Sequence, residues 1–139
     1  MNLKSERLLN ANVSGMSANG IHVLLDYTGY VSPTDNDGKW ILELMRRAVS
    51  EAGIREVHSH VEQFDGILSP LGFAAVVLID ESHVSAHCYS ERGLLAIDVF
   101  TCGDNDPSVV ADTIHSELVS NIEGLVLQRR DRVERFLQG

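Results

Sequence analysis

Phe73 to Ile79 (FAAVVLI) is apolar at every position, the pattern expected of a central strand covered on both faces. Ile21 to Tyr27 (IHVLLDY) reads as a second buried strand, closed by a turn containing Gly29 and by Pro33. His83 to Tyr89 and Leu94 to Thr101 read as two more strands, joined through Glu91-Arg92-Gly93 as a hairpin turn. A further strand is expected at about residues 54–63, with the loop Asp65 to Gly72 after it, and Leu125 to Gln128 reads as a last strand. Helical spacing occurs twice. Trp40, Ile41, Leu44, Met45, Ala48 and Val49 make one apolar face of a helix that Asp35 or Asp37 is placed to cap and Gly53 to end. Asp106-Pro107 opens a second helix, with Val110, Ile114 and Leu118 inward. Residues 1–19 are weakly patterned and read as a loose arm, and the charged end RRDRVERFLQG reads as a surface helix or tail.

This order predicts an α+β fold: a two-layer α/β sandwich with two helices on one face of a mainly antiparallel sheet. At 139 residues one domain accounts for the whole chain, residues 1–139, without disulfide staples. No apolar run approaches the ~20 residues of a membrane helix, and the first residues lack the apolar core of a signal peptide. The expectation is a cytoplasmic protein with no membrane partner. A formal charge of −9 argues against nucleic acid, whose phosphates need clustered Lys and Arg, and is compatible with a cationic small substrate. Cys88 and Cys102 follow no metal-ligand spacing. His58 and His60 share a strand face without an obvious third ligand and read as a surface pair, so no metal site is expected.

The chemistry concentrates in residues 81–103, ESHVSAHCYSERGLLAIDVFTCG. Ser82 lies at a tight turn between two buried strands, where its Oγ can attack the Glu81 carbonyl carbon. That moves the acyl group from nitrogen to oxygen. Loss of the Ser82 α-proton then expels the Glu81 carboxylate, and the resulting dehydroalanine hydrolyses to a pyruvoyl group and ammonia. Such a step needs an oriented or strained peptide, donors aimed at the oxyanion and a base in reach. His87 is a candidate base. Cys102 closes the partner strand, and hairpin pairing returns it towards the Ser82 end, so Ser82, His87 and Cys102 are expected to gather loosely in one place. Each residue taken alone has an ordinary structural use.

The stretch from Phe73 to Val110, with E-S-H, the later histidine, the hairpin, D-V-F-T-C-G and the following D-P, resembles the S-adenosylmethionine decarboxylases of bacterial and archaeal type. A weaker likeness runs from Gly20-Ile21-His22 to the first helix. The resemblance implies self-cleavage between Glu81 and Ser82 into a β chain (1–81) and an α chain (82–139), with Ser82 becoming the pyruvoyl cofactor. It implies that His87 assists processing and that Cys102 protonates the decarboxylated carbon. The cofactor would hold an amino-acid-type substrate as a Schiff base while CO2 leaves. Phe64 and Tyr89 match the family's adenine-stacking aromatics, and Glu91 its ribose-binding glutamate. A homodimer of cleaved αβ protomers, with sites near its interface, is also implied.

This chain departs from that pattern at several positions. Ala74 stands where the family has a processing serine, Glu62 replaces a histidine beside the pocket, Ser90 replaces a proline, and the loop before Pro70 is longer. Glu62 would suit a guanidinium or ammonium group, which keeps L-arginine or L-ornithine as alternative substrates behind S-adenosylmethionine. The loss at Ala74 motivates a reading of another class, an unprocessed binding or regulatory homologue. Retention of Ser82, His87 and Cys102 together speaks against it. His115 reads as structural, and the role of His22 is left open.

Overall fold

A computed structural model describes residues 17–138. The strands are β1 (Ser17–Thr28), β2 (His58–Phe64), β3 (Gly72–Ile79), β4 (Ser82–Tyr89), β5 (Leu94–Cys102) and β6 (Val126–Gln138), and the helices are α1 (Asp37–Glu51) and α2 (Pro107–Asn121). They form one sheet in the order β2-β3-β4-β5-β1-β6, every neighbouring pair antiparallel. Helix α1 packs over β2 and β3, and α2 over β1 and β5. The expected α+β sandwich is the observed one. The arm expected over residues 1–19 falls largely outside the described residues, and its last three residues begin β1.

The pleat divides the sheet into two unlike faces. Val23, Leu25, Phe73, Val77, Val84 and Ile97 point at the helices and are buried, as are Ile41, Met45, Ile114 and Leu118 opposite them. The other face carries no element among the described residues. Across it run registered rows: Leu78, His83, Phe100, His22 and Val133 in one, and Glu62, Ala74, His87, Ala96 and Asp26 in another. Leu24, Leu78, Val133 and Phe136 are 37–59% exposed there. Phe73–Ile79, expected as a central strand covered on both faces, is covered by the helices on one face only: β3 lies next to the edge strand β2, and its other side chains, Leu78 among them, face the open surface.

Two local expectations fail, each for a physical reason. The charged C-terminal end is a strand, not a helix or tail: β6 pairs with β1 along its length. An edge strand tolerates charge, and i,i+2 pairs such as Arg129–Asp131 and Arg132–Glu134 sit on one strand face. Neither aspartate caps α1, whose N-cap is Asn36 without a side-chain cap bond. Asp37 is instead buried and accepts hydrogen bonds from Tyr30 Oη (2.8 Å), Ser32 Oγ (2.8 Å) and Gln63 Nε2 (3.1 Å). Burial, reinforced by that carboxylate, raises the Tyr30 pKa and keeps the phenol neutral. Asp106 does cap α2, accepting from the Ser108 amide at 2.9 Å. Gly53 is left-handed, as expected after a helix.

Gly72 fixes how β3 sits against β4. It has φ +151°, and a Cβ there would lie 1.9 Å from the Cys88 carbonyl oxygen. Gly72→Ala is expected to lose about 2 kcal/mol or more, because the clash is with backbone rather than a flexible side chain. Urea denaturation checks this; an unchanged midpoint would contradict the register.

Candidate functional site

Strands β3 and β4 are joined by two residues, Asp80 and Glu81, with Ile79 paired to Ser82. Asp80 has φ +54°, a left-handed conformation uncommon outside glycine. Ser82 follows at once, buried on the helix side of the pleat with 6% of the residue exposed. Its Oγ accepts a hydrogen bond from the Cys102 backbone amide at 3.1 Å. The contact exists because β5 antiparallel to β4 returns its last residue to the start of β4. It fixes the hydroxyl oxygen and leaves the hydroxyl proton available to a base.

Beside this turn, on the open face, lies a cluster singled out only in part from sequence. His83 Nε2 donates to Asp98 Oδ2 at 2.8 Å, and His22 Nε2 lies 3.6 Å from Asp98 Oδ1. Asp98 Oδ1 is buried without a hydrogen-bond partner. Both imidazoles pack against the Phe100 ring. The donor atoms lie within 4.8 Å of one another, close enough for a cation. However, Arg135 Nη1 donates to His22 Nδ1 at 3.0 Å, which puts the neutral ring's proton on Nε2. Burial also holds the His22 pKa down, against the attraction of Asp98. The guanidinium and the tautomer it imposes put N–H groups and positive charge where a metal needs lone pairs. Asp98 thus holds His83, the residue next to Ser82, by a hydrogen bond, while His22 packs beside them and is held by Arg135. A single acid inside the apolar run LLAIDVF was the sequence signal for Asp98.

His87 is elsewhere. It lies five residues along β4, about 16 Å away at strand rise, and on the opposite face from Ser82. The expected single gathering of Ser82, His87 and Cys102 therefore splits in two. Alternation, correctly applied to His83, Ser85 and His87, already excluded Ser82 from their face. At the far end, Phe64, Ala74, His87 and Tyr89 line a cavity of about 200 Å³, and His87 and Tyr89 also border a second one of about 270 Å³. Glu91 stands exposed in the 3-10 turn Ser90–Arg92 at the same end. Glu62 shares the row of Ala74 and His87, and its carboxylate is paired to His60 Nε2 at 2.6 Å. The two histidines expected as a surface pair, His58 and His60, are both exposed on that strand. His115 is structural, hydrogen-bonded through Nδ1 to Tyr27 Oη at 2.8 Å.

Residues 21–130 match the model of the S-adenosylmethionine decarboxylase family. The chain is 36% identical over 114 residues to an S-adenosylmethionine decarboxylase proenzyme of Bacillus velezensis, covering 78% of this chain and 86% of the relative. It is 44% identical over 95 residues to one from Carboxydothermus hydrogenoformans, covering 66% and 70%. The crystal structure of the adenosylmethionine decarboxylase from Aquifex aeolicus superposes with a TM-score of 0.68 at 32% identity, covering 86% of this chain and 92% of that one.

The two thiols differ in environment. Cys88 is buried under the helices, and burial pushes its pKa up to about 11, whereas Cys102 is partly exposed. Iodoacetamide near neutral pH is therefore expected to modify Cys102 and spare Cys88 until denaturant is added. Peptide mass spectrometry reads this; equal labelling in the folded protein would contradict the packing of β4.

Proposed function

Because the chain belongs to the S-adenosylmethionine decarboxylase family, we propose that it is a self-processing, pyruvoyl-dependent enzyme that decarboxylates S-adenosylmethionine for polyamine synthesis. The observation that carries the reading is the Ser82 hydroxyl, buried directly after the left-handed Asp80 turn and held by the Cys102 amide at 3.1 Å. Ser82 Oγ attacks the Glu81 carbonyl carbon, the Glu81–Ser82 C–N bond breaks and an ester forms. Removal of the Ser82 α-proton then expels the Glu81 carboxylate and leaves a dehydroalanine, which takes up water and loses ammonia to become the pyruvoyl group. Cleavage leaves chains of residues 1–81 and 82–139. The pyruvoyl group so made supplies a carbonyl that binds the substrate amine and accepts the electron pair released with CO2. Cys102, beside residue 82, returns a proton to the α-carbon. Phe64 and Tyr89 stack on adenine, and Glu91 receives the ribose hydroxyls. Glu62 is already engaged by His60, and no observation favours arginine or ornithine.

The separation of Ser82 and Cys102 from His87, Phe64 and Tyr89 supports a homodimer with shared sites. The open face exposes apolar side chains that a second sheet would bury. Two copies stacked face to face about a two-fold axis running across the strands lay the start of one β4 over the end of the other. The start of β4, with the Glu81–Ser82 peptide bond, and Cys102 of one copy then lie over His87 and the aromatics of the second, although the Ser82 side chain itself points to the helix side of its own sheet.

Co-expression of two inactive chains tests this. Ser82→Ala and His87→Ala are each expected to stay uncut alone. Together they form one intact site, in which only the His87→Ala chain is cleaved. Mass spectrometry distinguishes the chains. No cleavage in the mixture would mean that each site is built within one copy.

A further inference from the structure

The turn that carries the scissile bond is gripped by a side chain that the chemistry above does not use. Arg55, between α1 and β2, places Nε at 3.0 Å and Nη2 at 2.6 Å from Asp80 Oδ1. The segment bearing Arg55 is itself tied down on the residues that follow. Glu56 pairs with Arg46 of α1 at 2.8 Å, and the Val57 amide donates to the Leu78 carbonyl at 2.7 Å. Arg55 therefore reaches Asp80 from a fixed base, although its own side chain is 73% exposed.

Asp80 is one of two non-glycine residues with positive φ among the described residues. A backbone in that region persists only where its surroundings impose it. The two-residue turn sets the angle at which the Glu81 carbonyl faces Ser82 Oγ, so a relaxed turn lowers the fraction of chains aligned for attack. We propose that Arg55 is a positioning residue for self-cleavage, holding Asp80 left-handed until the Glu81–Ser82 bond has broken. The proposal rests on the reading of Glu81–Ser82 as the cleavage site. Once the chain is cut the turn has no further task, so Arg55 acts on maturation and not on turnover.

The test is the rate at which freshly synthesised full-length chain converts to two chains, followed by mass spectrometry in cell-free translation. Arg55→Ala is expected to slow conversion about two- to fivefold, the range of an exposed ion pair. Turnover per cleaved site stays unchanged. Asp80→Asn keeps a residue that tolerates the left-handed region but removes the charge, and it is expected to slow conversion equally. The double variant should be no slower than either single one, because both changes remove the same contact. Raised salt should slow the wild-type chain and leave Arg55→Ala unaffected. Wild-type conversion in Arg55→Ala, or losses that multiply in the double variant, would overturn the clamp. Should Arg55→Ala misfold, Asp80→Asn carries the comparison. A wild-type chain that never converts would instead refute the cleavage reading itself.

Discussion

Everything at the candidate site depends on the antiparallel ladder of β3, β4 and β5. Pairing Ile79 with Ser82 leaves only Asp80 and Glu81 to reverse the chain, a tight turn in which Asp80 is left-handed. Continuing the same ladder brings the last residue of β5 back to the first of β4, so the Cys102 amide meets Ser82 Oγ. A one-residue slip would reverse every side chain. Val84, Ala86 and Cys88 would leave the core, and Ser82 would lose its donor. The hydrophobic packing of β4 under the helices therefore fixes the geometry of the hydroxyl, and Gly72 guards that register from the neighbouring strand.

The same alternation gives β4 two unlike faces, and this has a consequence for the site. Ser82 must be on the helix side to be buried and held, whereas His83 and His87 must be on the open side. A strand rises too far in five residues for its own ends to meet. The residues to which the proposed function assigns the chemistry are thus separated within one copy. An open, partly apolar sheet face is the surface on which a second copy would lay its His87 over the start of β4. Asp98 and the two histidines stand on that face beside Ser82, where the His83–Asp98 hydrogen bond ties the start of β4 to β5.

Much of this was legible in the sequence because it is written in periodicity. The strand of continuous apolar residues, the amphipathic face of α1 and the Asp106-Pro107 start of α2 each depend on local pattern, and each formed where expected. The E-S-H, D-V-F-T-C-G and spacing signals pointed to the decarboxylase family for the same reason. What could not be read depends on contacts distant in the chain. Asp37 looked like a helix cap, but Tyr30, Ser32 and Gln63 converge on its carboxylate only after folding. The charges of β6 looked like a solvated helix, and only pairing with β1 makes them an edge strand. Arg55 and Asp80, twenty-five residues apart, carried no signal of their meeting.

The most direct test of the central claim is denaturing mass spectrometry of the purified protein after borohydride trapping in the presence of S-adenosylmethionine. The account predicts two chains, residues 1–81 and a smaller one beginning at a pyruvoyl-derived residue 82, with the substrate adduct on the smaller. A single uncut chain of 139 residues without adduct would contradict it and leave a binding protein on a decarboxylase scaffold.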